Sequence, residues 1–166
     1  INTVKNDDGA IMTIDGGIFT NYAQSAFQNH NIATINGGTF NGATVYAILN
    51  CGATCSSGDA PDQHQLTITG GNFNGKIYKG GDSKDGKTHY DIGSISISGG
   101  YFTVDPSAYC VTGKTGVPSN RTDEYAWTVG EKSATKAEVA TGEPTVDASK
   151  VAVKNEEDKA LLNATQ

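Results

Sequence analysis

The chain has 166 residues, of which 36% are hydrophobic and 21 are glycine, and its formal net charge is −6. This length allows one domain with a short appendage, and the low hydrophobic share excludes a wide apolar core. The excess of acidic over basic residues excludes the basic surface that nucleic-acid binding requires. No run of 18 apolar residues offers a membrane-spanning helix.

A six-residue phrase built around a Gly-Gly pair occurs four times along the chain. The copies occupy residues 14–19, 35–40, 68–73 and 97–102. Their first glycines, at positions 16, 37, 70 and 99, lie 21, 33 and 29 residues apart. A unit of 21 residues, lengthened by 12 in one case and by 8 in the other, explains all three spacings. Such self-similarity is typical of solenoid proteins.

Within each copy, apolar and polar residues alternate with a period of two. This alternation predicts a β-strand with one buried face, because a helix would need apolar residues at steps of three and four. The outer positions carry polar residues such as Asp15 and Asn36, which we expect to form hydrogen-bonded ladders. The predicted structural core consists of Ile14, Phe19, Ile35, Phe40, Ile68, Phe73, Ile97 and Phe102.

A second strand segment supports the same unit, because residues 26–29 recur in character at 47–50, again 21 residues later. The Gly-Gly pair marks a sharp bend, since glycine accepts positive φ. Stacked repeats of this kind pair in parallel about 4.8 Å apart, and parallel crossovers are right-handed. We therefore predict an all-β fold: a single-stranded right-handed parallel β-helix (solenoid) with about 21 residues per coil. A β-sandwich, the competing fold, would not repeat one phrase in columns.

Two long insertions, at residues 51–65 and 81–92, follow the second strand segment of their repeats. We expect them to project from one edge of the solenoid, and binding residues often lie on such loops. Three interpretations stay open: solvated loops, a carbohydrate or protein contact patch, and a cation or catalytic site. The candidate binding residues are Asp59, Asp62, His64, Asp82, Asp85, His89, Tyr90 and Asp91.

The sequence favours a non-catalytic protein, although the enzyme class stays open. Asp15 has no acidic neighbour in its column, so the strands do not offer the carboxylate pair of a glycosidase. The Gly-Gly pairs do not begin helices, which argues against nucleotide binding. We predict no catalytic residue, no metal site and no cofactor. Cys51 and Cys55 are compatible with a small loop disulfide or with two free thiols.

The repeats end near residue 103. Residues 104–130 are predicted to form a final irregular coil in which Tyr125 and Trp127 cover the open end of the core. Cys110 is predicted to align with Phe27 and Ile48 as a buried residue. After residue 130 the Gly-Gly phrase disappears and Lys, Glu and Ala increase. We therefore divide the chain into a β-helix with its capping coil, 1–130, and a C-terminal appendage or start of the next module, 131–166.

Residues 34–42, 46–50 and 98–109 resemble the Gly-Gly-x-Phe repeats in large surface proteins of gut-dwelling Gram-positive bacteria. The resemblance covers about residues 9–130 and specifies the fold better than the function. The resemblance implies an extracellular location, either secreted or attached to the cell wall. It also implies that this chain is a monomeric module of a larger multi-module protein. The expected function is structural or adhesive. The alternative is a glycan-binding or glycan-cleaving β-helix, with a host or dietary glycan or another surface protein as partner.

Overall fold

The computed structural model describes residues 2–7, 9–50, 64–79 and 93–133. All of them belong to one compact unit that spans Ile1–Ser133. The predicted insertions and the predicted appendage therefore lie almost entirely outside the described residues.

Strands dominate the described residues, and the single helical element is a short 3₁₀ turn at Ser107–Tyr109. The prediction of an all-β fold with parallel strands is confirmed, because strands β1 to β10 pair with one another only in parallel. The strands are β1 Val4–Asn6, β2 Ile11–Ile14, β3 Ile18–Thr20, β4 Ser25–Asn29, β5 Ile32–Ile35, β6 Thr39–Asn50, β7 Gln65–Ile68, β8 Asn72–Lys79, β9 Ser94–Ile97, β10 Tyr101–Phe102, β11 Lys114–Pro118 and β12 Trp127–Glu131.

One parallel sheet contains β2, β5, β7 and β9 in this order. Its registers run unbroken through all four residues of each strand, so equivalent positions of successive repeats stand side by side. The alternation of apolar and polar residues therefore produces apolar columns on one face. The two inward columns are Met12, Ala33, Leu66 and Ile95, and then Ile14, Ile35, Ile68 and Ile97.

The larger sheet has the order β1-β4-β6-β8-β10-β12-β11, and β3 pairs with β6 beside this path. Phe40 is in register with Phe19 on one side and with Phe73 on the other, and Phe73 is in register with Phe102. The pairing of β6 with β8 shifts register on both sides of Tyr46. Extra residues in β6 are accommodated at these irregularities, as in β-bulges.

The phenylalanine rings of successive repeats stack on one another in the core. Ring centroids are 5.0 Å apart for Phe19 and Phe40, 5.2 Å for Phe40 and Phe73, and 5.0 Å for Phe73 and Phe102. The last three rings are buried, whereas Phe19 is only partly buried. These aromatic contacts add to the stability gained by removing the rings from water.

In the last three copies of the phrase, the two glycines are required for different reasons. The second glycine has positive φ, which is +102° at Gly38 and is strained for any residue with a side chain. The first glycine lies against the preceding repeat: a Cβ at Gly37 would lie 2.6 Å from the carbonyl oxygen of Asp15. Close stacking of repeats therefore explains why two adjacent glycines recur.

The row of parallel strands ends in an antiparallel pair. Trp127 of β12 is in register with Phe102 of β10, and it packs against the core. Tyr125 is buried just before this strand. The predicted alignment of Cys110 is wrong: Cys110 bridges to Ile97 in the four-stranded sheet and is half-buried. The 3₁₀ turn shortens the path after β10, so residue 110 reaches the other sheet.

Candidate functional site

A buried ladder of asparagines runs along the larger sheet at the ends of β1, β4 and β6. The side chains of Asn6, Asn29 and Asn50 are fully buried. Asn6 Nδ2 donates to Asn29 Oδ1 at 2.8 Å, and Asn29 Nδ2 donates to Asn50 Oδ1 at 2.8 Å. Every amide in the ladder therefore points in the same direction along the stack.

The same amides also hold the turns that leave these strands. Asn29 Nδ2 donates to the carbonyl oxygens of Asn31 and Gln65, and Asn50 Nδ2 donates to that of His64 at 2.6 Å. The carbonyls of Asn31 and His64 also accept from the backbone N–H groups of Gln65 and Ser94, so the asparagine amides add a second hydrogen bond that stabilises these turns. At the next register position Lys79 replaces asparagine, and the ladder ends there.

Sequence reasoning missed this ladder as a buried feature. Asn29 and Asn50 recur at the repeat spacing, but Asn6 is 23 residues before Asn29 because the turn after β1 is longer. The signal was the local similarity of Val4–Asn6 to residues 27–29, with asparagine last in both.

The predicted outer ladder is present on the exposed side of the four-stranded sheet. Asn36 Nδ2 donates to Asp15 Oδ1, and Thr69 Oγ1 donates to Asn36 Oδ1, both at 2.8 Å. All three residues are exposed. Their polar groups bond along the stack and do not converge on one point, so this surface lacks the geometry of an active site.

Of the candidate binding residues in the insertions, only His64 lies in the described part of the chain. His64 is 1% exposed, and its ring centroid is 5.9 Å from that of His30. Its backbone has positive φ, at 58°. His64 is thus a buried turn residue, not part of an exposed contact surface. The other candidates, Asp59, Asp62, Asp82, Asp85, His89, Tyr90 and Asp91, lie outside the described residues.

A shallow groove of about 260 Å³ opens where β6 and β8 change register. Two glycines make this irregularity possible: a Cβ at Gly42 would lie 2.0 Å from the carbonyl oxygen of Tyr46, and Gly75 has a φ of +121°. Gly75 also lies close against β6, because a Cβ there would lie 2.4 Å from the carbonyl oxygen of Gly42. The groove is lined by Thr44, Val45, Tyr46, Asn74, Gly75, Lys76, Thr103 and Val104.

The groove combines polar groups with aromatic surface. The ring centroids of Tyr46 and Tyr78 are 5.4 Å apart, and both side chains are partly exposed. Thr103 Oγ1 accepts a hydrogen bond from Gly75 N at 2.9 Å, which holds one wall in place. Exposed rings beside an ammonium group and side-chain amides and hydroxyls are suited to binding a sugar, not to transforming one. We call the residues that line this groove the Tyr46 groove; Tyr78 is not one of them and contacts it through the ring of Tyr46.

Arg121 forms a second polar cluster, near β10. Its guanidinium carbon lies 4.8 Å from the ring centroid of Tyr101 and 4.7 Å from that of Tyr125. Its Nε donates to Asp123 Oδ1 at 3.0 Å, and Nη1 donates to Asn72 Oδ1 at 2.9 Å. Hydrogen bonding to Arg121 lowers the pKa of Asp123 below its ordinary value of 3.8. The guanidinium already contacts protein groups, so this cluster, which we call the Arg121 clamp, holds the neighbouring segments together and leaves few donors for a ligand.

Across residues 2–7, 9–50, 64–79 and 93–133, no group of three or more His, Cys, Asp or Glu side chains is arranged to hold a metal ion. The same residues contain no helix that is long and apolar enough to cross a membrane.

Comparison of the chain with protein-family models, with curated proteins and with solved structures finds no match.

Proposed function

We propose that this chain is a non-catalytic structural or adhesive module of an extracellular surface protein, built as a single-stranded right-handed parallel β-helix with about 21 residues per coil. One observation carries the proposal. The rings of Phe19, Phe40, Phe73 and Phe102 continue through four repeats at centroid distances of 5.0–5.2 Å. The repeats thus share one core that is extended by stacking.

The distribution of polar groups supports a structural role over a catalytic one. Asn29 and Asn50 use their amides to hold turns. The Asn36 amide donates to the Asp15 carboxylate and so joins two neighbouring repeats. Arg121 is committed to Asp123 and Asn72. Such an arrangement stabilises a regular scaffold whose surface is presented to other molecules. The resemblance to bacterial surface repeats supports the extracellular location.

Binding and hydrolysis assays on the full chain test this function. We expect no release of reducing sugar from plant or mucin polysaccharides. Cleavage that disappears in both Asp59→Ala and Asp85→Ala would overturn the proposal, because those residues lie in the predicted insertions. Cleavage that neither substitution affects would indicate a contaminating enzyme. The proposal then requires that the chain, after further purification, releases no reducing sugar.

Glycan binding without cleavage is a second candidate, favoured by the Tyr46 groove. Sugar rings stack on aromatic side chains, and here the partly exposed Tyr46 is in register with Lys76 in the groove. We expect Tyr46→Ala to weaken binding to any glycan captured on an array by at least about tenfold, which corresponds to about 1.4 kcal/mol. Tyr22→Ala is the matched control, because Tyr22 is 79% exposed and does not line the groove. Equal losses in both variants would exclude the groove.

A further inference from the structure

The first repeat presents an edge that is paired on one side only. Strand β1 ends the larger sheet and β2 ends the four-stranded sheet, while β3 pairs with β6 alone. We call β1, β2 and β3 together the leading edge. Within the described residues, no strand pairs with the other side of these three.

Asn6 carries a buried acceptor at this edge. The residue is 0% exposed, and among the described residues no donor bonds to its Oδ1 atom. The equivalent oxygens of Asn29 and Asn50 each accept from the asparagine of the preceding repeat. A buried acceptor without a donor is unusual and costly. The direction of the ladder identifies what is missing: an amide N–H that comes from a preceding repeat.

Gly16 gives an independent indication. At Gly37, Gly70 and Gly99 an added Cβ would lie 2.3–2.6 Å from a carbonyl oxygen of the preceding repeat, so only glycine fits. At Gly16 an added Cβ would meet nothing within 4 Å, and the backbone there does not have the positive φ that favours glycine. The described contacts give no reason for glycine at this position, whereas another repeat stacked on the edge would require it.

Phe19 provides an apolar contact at the same edge. Phe40 and Phe73 each lie between two stacked rings, but Phe19 has a stacked ring on one side only and is partly exposed. Another ring placed about 5 Å away would continue the stack.

We propose that the leading edge is a docking surface for a further repeat of the same class, stacked in parallel. Its asparagine donates to Asn6 Oδ1, its carbonyl lies over Gly16, and its aromatic side chain covers Phe19. This docking surface rests on the proposed β-helix, and it specifies the chemical groups of the repeat that would stack on it.

A second copy of this chain fits the edge poorly. Two leading edges related by a two-fold axis would bring the Asn6 acceptors towards each other without a donor. The opposite end of the larger sheet is β11, reached through antiparallel β12. That end therefore does not present the parallel strand and asparagine that Asn6 requires.

A fusion protein tests the proposal directly. A copy of residues 23–44 placed immediately before Ile1 sets its asparagine 21 residues ahead of Asn6, the separation that joins Asn29 to Asn50. We expect Tm to rise by about 5–10 °C relative to the unfused chain, because each added repeat contributes an interface. A scrambled extension of the same composition should leave Tm unchanged. Asn29→Ala made only in the copy should remove part of the rise.

Substitution of Gly16 separates stacking from a general effect of the extension. In the unfused chain Gly16→Ala should change Tm by less than about 2 °C, because the methyl group enters open space. In the fusion the same substitution should abolish the rise, since the methyl group meets the added repeat. Gly37→Ala is the matched control and should lower Tm in both proteins.

Two results would overturn the inference. One is equal tolerance of Gly16→Ala in the fused and unfused chains. The other is dimerisation of the unfused chain, measured by sedimentation, that the fusion abolishes, because the occupant would then be a second copy. Either result leaves the proposed function intact if the unfused chain still unfolds cooperatively with a β-type circular dichroism spectrum. A non-β spectrum for that chain would instead defeat the proposed fold.

Discussion

Two polar ladders follow the same repeat in this molecule, but they differ in burial. Asn6, Asn29 and Asn50 are fully buried, whereas Asp15, Asn36 and Thr69 are exposed. The side-chain hydrogen bonds in both are 2.8 Å long. Their contributions to stability should nevertheless differ, because a buried group that loses its partner cannot turn to water. Equal geometry along a repeat thus does not imply equal energetic importance.

Substitution in the apolar core should reduce the free energy of unfolding more than substitution in either ladder. Phe73→Ala should reduce the free energy of unfolding by about 3–5 kcal/mol, since it removes a ring that stacks on both sides and leaves a cavity. Urea unfolding followed by circular dichroism measures the change. Tyr22→Ala, at an exposed site, serves as the control and should cost less than about 0.5 kcal/mol. A near-unchanged unfolding curve for Phe73→Ala would contradict the ring stack.

The buried ladder should come next in size. Asn29→Ala removes the donor to buried Asn50 Oδ1 and to the carbonyls of Asn31 and Gln65. It also removes the acceptor of the buried Asn6 amide. We expect a loss of about 2–3 kcal/mol in the free energy of unfolding. Hydrogen exchange of amides in β4 and β5 should also accelerate. A loss of less than about 0.5 kcal/mol would show that the buried ladder contributes no more to stability than the exposed one.

Substitution in the exposed ladder should reduce the free energy of unfolding much less. Asn36→Ala removes the bonds to Asp15 and Thr69, but water replaces both partners. The expected change is within about 0.5 kcal/mol, measured by the same urea unfolding. A loss as large as that of Asn29→Ala would mean that continuity of the ladder, not burial, determines its worth.

The smallest effect should appear at the Arg121 clamp, which is also exposed. Because Arg121 lowers the pKa of Asp123 in the folded protein, their interaction stabilises the fold above the ordinary pKa of 3.8 and is lost as pH falls through the folded value. The Tm difference between the parent chain and Asp123→Asn should therefore shrink between about pH 6 and pH 2.5. A difference that grows towards acid pH would reverse the assigned direction.

The sequence was sufficient to predict an all-β fold with parallel strands, because the period of two and the Gly-Gly phrase act locally and repeat. Ile14 and Phe19 need only their own strand to show which face is apolar. The positions of Asn6 and Cys110 were harder to predict, because their partners depend on the lengths of irregular turns. A longer turn after β1 changed the spacing to Asn29, and the 3₁₀ turn carried Cys110 to the other sheet.

The candidate site was less predictable than the fold. The Tyr46 groove arises from register shifts between two strands, and no pattern within β6 or β8 alone reveals their relative register. Gly42 and Gly75 were visible as glycines, but their role depends on nearby carbonyl groups. Gly42 lies close to the carbonyl of Tyr46 in the irregular part of β6, and Gly75 lies close to that of Gly42 in the neighbouring strand. His64 resembled a loop residue by its position, yet the turn directs its ring inward towards His30.

The unbroken registers of the four-stranded sheet bear on how such a protein changes over evolutionary time. In the described part of the four-stranded sheet each strand pairs only with those of adjacent repeats, so an in-phase duplication of about 21 codons can add a strand without redesign of distant residues. A duplication out of phase by one residue would turn every inward isoleucine of the new strand outward. Selection on the length of the array should therefore proceed in whole steps, each adding about 4.8 Å of reach.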